Sequence, residues 1–249
     1  MAHTPAGFAG DGGAARSMTK LSDYTTARVG LGITGESLPT RALLDFRLAH
    51  ARARDAVHFP LDTATLTEEL LACHLAPILL RSAAQNRDEY LKRPDKGRRL
   101  SEASAKAIAN SPCDTAIIVA DGLSALAVHR HAVPLLKEMS LDDKLPIWIV
   151  QQGRVAVGDH IGALLKAELS IVILGERPGL STPDSLGIYV TWAPRVGRTD
   201  AERNCISNIH GHGLSYAEAA HKLAFLTSEA RKRKLTGVAL KETAGNLLT

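Results

Sequence analysis

Ala116-Ile117-Ile118-Val119-Ala120-Asp121-Gly122-Leu123-Ser124 decides the fold. Five consecutive apolar residues, three of them β-branched, make a strand buried on both faces, because a half-exposed strand would alternate with polar side chains. The Asp-Gly-Leu-Ser turn ends it, and helical periodicity then runs to about Met139. Strand-sized blocks of the same kind recur at 146–150, 169–174 and 188–192. Residues 153–159 read as loop or short strand and 161–166 as helix. Apolar strands alternating with helices predict an α/β fold with a largely parallel, Rossmann-like sheet covered by helices on both faces.

Upstream the period changes. Ala42, Phe46, Ala49, Ala53 and Ala56 recur at spacings of four and three, the stripe of an amphipathic helix with Thr40 as its N-cap and Arg41, Asp45, Arg52 and Arg54 opposite. Further helices are expected at 65–73 and 101–109. Between them, 86–100 is polar and basic and must turn at Arg93-Pro94-Asp95 and Gly97. Near the other end, 216–234 reads as a helix whose basic last turn, Arg231 to Lys234, suits the negative end of its dipole. The expected organisation is a flexible tail (1–22), a helical N-terminal part (23–110) and an α/β domain (111–249), without internal repeats.

Composition sets outer bounds. Of 249 residues, 45% are hydrophobic and 22% charged, too apolar for a disordered chain, and 20 Gly with 11 Pro are too few for a collagenous one. No apolar run reaches the length of a membrane helix. Thirty Lys and Arg against 26 Asp and Glu leave a formal charge of +4, with both signs interspersed, which does not mark a nucleic-acid binder. Cys73, Cys113 and Cys205 have neither C-x-x-C nor zinc spacing, so a disulfide framework and a structural metal are not expected, and a reducing, intracellular setting is. Residues 1–20 lack the apolar core of a secretory signal.

Four motifs carry chemistry, each beside a plainer reading. Gly30-Leu31-Gly32-Ile33-Thr34-Gly35 matches G-x-G-x-x-G, the basis of a rival reading as an NAD-binding oxidoreductase. That mechanism needs a buried strand before the glycines and a helix directly after, and Pro39 intervenes. Lys92, Arg93, Lys96, Arg98 and Arg99 cluster around Pro94; a nucleic-acid module would interleave aromatics, and only Tyr90 is near, so a solvated or subunit-contacting loop is the plainer reading. Asn208-Ile209-His210-Gly211-His212-Gly213 approximates an Asp-x-His-x-x-Gly axial-histidine signature but has Asn where Asp is required, leaving His210 as a polar loop residue. Gly175-Glu176-Arg177-Pro178-Gly179 follows a buried strand, where α/β sheets bind ligands. Glu176 there reads equally as an acceptor for a donor-rich ligand or as an ion pair with an arginine. Val155, after the second strand, and Cys205, after the fourth, would open on the same sheet edge.

Several of these segments together resemble the light chain of ethanolamine ammonia-lyase. The resemblance lies in Asn86-Arg87-Asp88-Glu89-Tyr90-Leu91-Lys92-Arg93-Pro94-Asp95-Lys96-Gly97-Arg98-Arg99-Leu100, the turn from Asp121 to Ser124, Gly153-Arg154-Val155, the block from Gly175 to Leu180, and Arg203-Asn204-Cys205-Ile206-Ser207-Asn208-Ile209-His210. It runs from about residue 25 to 240, in order and nearly without gaps. It implies a small subunit that pairs with a (β/α)8-barrel heavy chain in a hetero-oligomer, binds adenosylcobalamin and converts ethanolamine to acetaldehyde and ammonia by a radical route. The family's substrate and catalytic residues sit on the heavy chain, so none is assigned here, and no metal ligand either. Its cofactor contacts map onto Val155, Glu176 and Cys205, the last touching the cofactor rather than ligating cobalt. In that family cobalamin keeps its own dimethylbenzimidazole on cobalt, in keeping with Asn208 and an unligated His210. Membrane and nucleic acid are not implied partners. A cytoplasmic setting is expected; encapsulated members carry a longer N-terminal extension that directs them into a bacterial microcompartment, and residues 1–20 are short and lack an amphipathic stripe.

Overall fold

The computed structural model describes residue 24 and residues 27–240. They fall in two compact units, one ending at Arg52 and the other beginning at Ala53, with helix α1 (Thr40–His58) contributing to both. In the first unit, Thr34 and Ser37 close a small turn through reciprocal backbone bonds of 2.8 and 3.2 Å, and the Arg28 guanidinium lies 5.9 Å from the Phe46 ring centroid.

The second unit is a six-stranded sheet. In chain order it contains α2 (Thr63–Ala72), β1 (Ala76–Arg81), α3 (Arg87–Lys92), α4 (Glu102–Ile108), β2 (Thr115–Ala120), α5 (Ala125–Glu138), β3 (Pro146–Gln151), α6 (Val157–Leu164), β4 (Leu169–Gly175), β5 (Leu186–Trp192), β6 (Asn204–Ile209) and α7 (Tyr216–Arg233). The strand order is β1-β3-β2-β4-β5-β6. The first four strands are mutually parallel; β4–β5 and β5–β6 pair antiparallel. Each of the four apolar blocks in the sequence is a strand, and all seven residues of β4 are buried.

The period of two in a strand sorts these side chains into two cores. Ile117, Val119, Ile147, Ile149, Ile171 and Ile173 pack with Leu66 of α2, Leu135 of α5 and Leu223 of α7 on one face. Ile118, Trp148, Val150 and Val172 pack with Ile108 of α4 and Ile161 of α6 on the other. Removing one such Ile or Val side chain from water contributes roughly 1.5–3 kcal/mol. The helix starts follow from local chemistry: the side chains of Ser101, Ser124 and Ser215 accept backbone N–H groups at the entries of α4, α5 and α7.

Two strands fall where the sequence showed none. β1 lies within the span expected to be helical; it is an edge strand that contains Pro77 and leaves Leu79 half exposed, so its apolar run is short and one-sided. β6 is the opposite edge, and Cys205, Ser207 and Asn208 are exposed along it. Arg231, expected only to complement a helix dipole, also binds the side chains of Asp114 and Thr115, which fastens the end of α7 to the start of β2.

The topology creates a crevice. From β2 the chain passes through α5 to β3 on one side; from β3 it returns through α6 to β4 on the other. β2 and β4 are neighbours whose exits diverge, the arrangement that opens a ligand site at strand carboxyl ends. Backbones meet closely there. Gly122 has φ +55°, and a Cβ on it would collide with the Gly175 carbonyl oxygen; one on Gly175 would collide with that of Ser124. The Leu123 N–H donates to the Gly175 carbonyl at 3.0 Å.

Candidate functional site

A cleft of about 1280 Å³ opens at the carboxyl ends of β2, β3 and β4. One wall comes from the parallel half of the sheet. Asp121, at the end of β2, is buried and accepts the Gly153 N–H at 3.0 Å and an Arg87 guanidinium N–H at 3.3 Å. Arg87 also donates to the Gly122 carbonyl at 2.9 Å and the Val57 carbonyl at 2.8 Å. Burial outweighs these donors and pushes the Asp121 carboxyl up to about 6. Next to it, the ring of Tyr90 lies between two guanidiniums, Arg87 at 4.7 Å and Arg154 at 4.6 Å from its centroid. Its hydroxyl donates to the Gly153 carbonyl at 3.2 Å, and burial raises its pKa.

This packing fastens the basic loop. Asn86 caps α3, which carries Tyr90 inward. A Cβ on Gly97 would stand 2.8 Å from the Tyr90 ring, so only glycine lets the loop close over it. The Arg154 N–H donates to the Gly97 carbonyl at 2.8 Å, and the Leu100 N–H donates to His160 Nδ1 at 3.0 Å. Lys96, Arg98 and Arg99 therefore line the cleft. Lys96 pairs with Glu89.

The other wall comes from the antiparallel half. Glu176 follows β4; its N–H donates to the Ser185 carbonyl at 2.9 Å. Its Oε2 accepts the Ser185 hydroxyl at 2.7 Å and the Asn208 N–H at 3.4 Å. Among the described residues its Oε1 accepts no hydrogen bond and Glu176 forms no ion pair, so the arginine pairing is not made. A Cβ at Gly187 would come within 2.8 Å of that oxygen, so glycine there keeps room for the carboxylate. Tyr189 lines the cleft between Glu176 and β6. A clasp joins the walls: Arg203, just before β6, makes a buried bidentate pair with Asp159 of α6 at 2.6 and 2.7 Å and donates to Thr191 at 3.1 Å. Burial shifts the Asp159 carboxyl upward, with the Arg203 bonds opposing it.

Val155, half-buried in the turn before α6, and Glu176 line the cleft together. Cys205 does not. β5 runs antiparallel to β4 and so ends at the opposite sheet edge, and β6 starts there: the edge at Gly175 faces Leu186 and Ile209, while Cys205, near the start of β6, sits further down, opposite Tyr189. It is exposed and bonded to the Tyr189 side chain; the protein crowded around its sulfur, then the Glu176 carboxylate, raise its pKa, so it stays a thiol. His210, just past β6, meets the side chain of Asn208 near the end of that strand at 3.0 Å, and Asn208 itself has φ +63°. Gly30 to Gly35 follow no strand among the described residues, and the next helix begins at Thr40. Asp121, Tyr90, Ser185 and the Asp159–Arg203 pair escaped sequence reasoning; the one hint was Tyr90, a lone aromatic in a basic run. Among the described residues no group of three or more His, Cys, Asp or Glu is placed to hold a metal ion.

The family model of the ethanolamine ammonia-lyase light chain (EutC) matches residues 15–241. The chain is 53% identical over 246 residues to the ethanolamine ammonia-lyase small subunit of Pseudomonas aeruginosa (strain LESB58), covering 94% of this chain and 90% of that one. It is 54% identical over 240 residues to the protein of the same name from Xanthomonas campestris pv. campestris (strain B100), covering 90% and 87%. With that of Pseudomonas fluorescens (strain Pf0-1) it shares 53% over 237 residues, 90% and 86% of the two chains.

Proposed function

This chain belongs to the ethanolamine ammonia-lyase light-chain family, whose members are subunits of a carbon–nitrogen lyase, and from that premise we propose that it completes an adenosylcobalamin site in partnership with a heavy chain. The single observation that carries the cofactor reading is Glu176: a carboxylate held from one side by Ser185 and Asn208, with its other oxygen accepting no hydrogen bond from the described residues, at the mouth of a cleft of about 1280 Å³. A corrin ring is rimmed with amide groups, and an acceptor fixed at a strand end suits an amide N–H. The cleft is also larger than the roughly 300–1,000 Å³ of ordinary small-molecule sites, as a large cofactor requires.

When bound, adenosylcobalamin supplies the hydrogen-abstracting radical through which ethanolamine becomes acetaldehyde and ammonia. The roles of this chain are binding and shielding. Glu176 accepts a hydrogen bond from a rim amide, and its preset position avoids an ordering cost on association. Val155 provides apolar contact beside it. Cys205 stands outside the cleft lining and acts on the cofactor through Tyr189, the cleft residue bonded to it, rather than as a ligand to cobalt. Substrate and catalytic residues belong to the heavy chain, and the hetero-oligomer works in the cytoplasm, free or inside a microcompartment.

The test is reconstitution. The purified two-chain complex should bind adenosylcobalamin with a visible-absorbance change and release acetaldehyde. Glu176→Ala should raise the cobalamin Kd by roughly tenfold, the loss of one charge-assisted hydrogen bond, with folding retained. An unchanged Kd would remove Glu176 from the site. Full turnover by the heavy chain alone would remove this chain from the reaction.

A further inference from the structure

The cleft holds more positive charge than its own carboxylates neutralise. Arg203 is matched by Asp159, with Asp200 at 3.5 Å; Arg198 by Glu202; Lys96 by Glu89; and Asp95 is taken by Arg93. Glu176 is engaged by Ser185. Among the described residues, Arg98, Arg99, Arg154 and Arg177 line the same cleft without a carboxylate partner. Arg154 is held in place by stacking on Tyr90 and by donating to the Tyr90 carbonyl at 3.1 Å, and its buried Nε has no hydrogen-bond acceptor. Cationic side chains that line one cleft raise its positive potential and attract an anion, and a buried N–H without an acceptor is costly.

Resting on the cofactor reading above, we infer that these arginines receive a phosphodiester, the phosphate of the nucleotide loop that ties dimethylbenzimidazole to the corrin. The chemistry selects it. The rim amides of cobalamin are neutral and suit Glu176, whereas the loop phosphate is the anionic group of that tail. The planar fork of a guanidinium meets two phosphate oxygens at once. One cleft thus presents an acceptor to the neutral rim and donors to the charged tail, and it selects corrinoids that carry a nucleotide loop over those that lack one.

The test compares adenosylcobalamin with adenosylcobinamide, which lacks the loop phosphate and base, by equilibrium titration of the purified two-chain complex. The variants are Arg99→Gln, Arg177→Gln and the pair together, all at exposed positions. The double variant should lose roughly tenfold or more in cobalamin affinity, as expected for charge-assisted bonds, with its cobinamide affinity unchanged. Inorganic phosphate should compete with cobalamin in the wild-type complex and leave cobinamide binding untouched. Equal losses for both corrinoids, or no loss for either, would overturn the inference. So would phosphate binding alongside bound cobalamin, which would mark a separate site for a free anion. Loss of subunit association in sedimentation, with corrinoid affinity intact, would assign the arginines to carboxylates of the heavy chain instead. If neither corrinoid binds the wild-type complex, it is the parent cofactor reading that fails.

Discussion

The wall contributed by β2, β3 and the basic loop is built from buried titratable and aromatic groups: Asp121 beside Arg87, and Tyr90 between two guanidiniums. The wall contributed by β4, β5 and β6 is held by close backbone packing and neutral donors, with Ser185 and Asn208 around Glu176 and glycines where a methyl group would not fit. Both walls face one cleft; pH should act mainly on the first, whereas steric substitution should be felt on both, at Gly97 and Gly122 as at Gly175 and Gly187. The Asp159–Arg203 clasp spans them.

Breaking the clasp should have the largest effect. Arg203→Met leaves Asp159 buried without its partner, at an expected cost of about 3–5 kcal/mol in urea unfolding. Adding Asp159→Leu should recover most of it; a single-variant loss within experimental error would mean the two walls are not joined there. The charged wall comes next. Because the folded pKa of Asp121, about 6, lies above its ordinary value of 3.8, the native state holds the proton more tightly than the unfolded chain. The Asp121 contribution to stability is therefore greatest at low pH, falls on the order of 3 kcal/mol as pH rises from about 4 to about 6, and is level above that. Asp121→Asn should flatten the slope in this window, and an unaltered profile would show that another group sets it.

For the neutral wall, Gly175→Ala should cost about 1–3 kcal/mol through collision with the Ser124 carbonyl. Thermal unfolding reads this directly, and the pH profile of the variant should keep its shape. The smallest effect is expected for Ser185→Ala, which removes one donor to Glu176. A loss of about 1 kcal/mol in stability is anticipated, with cobalamin affinity falling less than in Glu176→Ala; a larger affinity loss would make Ser185, not Glu176, the direct contact.

The residues announced themselves unevenly. Val155 and Glu176 could be placed from sequence because each follows an apolar strand, and strand ends in such sheets form clefts. Cys205 looked equivalent, but whether it stands on that edge depends on β6 running antiparallel to β5, a pairing no local pattern encodes. The basic loop read as solvated or subunit-contacting, with no sign of the cleft, because its anchors, Gly153 and Arg154, are some 60 residues away along the chain.

What the sequence determined by itself was local: four strands whose continuous apolar side chains require cover on two faces, and the Asp-Gly-Leu-Ser turn that ends the first of them and starts the helix behind it. The edges β1 and β6, the contact of Gly122 with Gly175, the Arg–Tyr–Arg stack and the Asp159–Arg203 pair were decided by tertiary structure alone. Their partners are chosen by which strands lie side by side, and strand order is settled by the packing of whole helices against the sheet rather than by any window of residues.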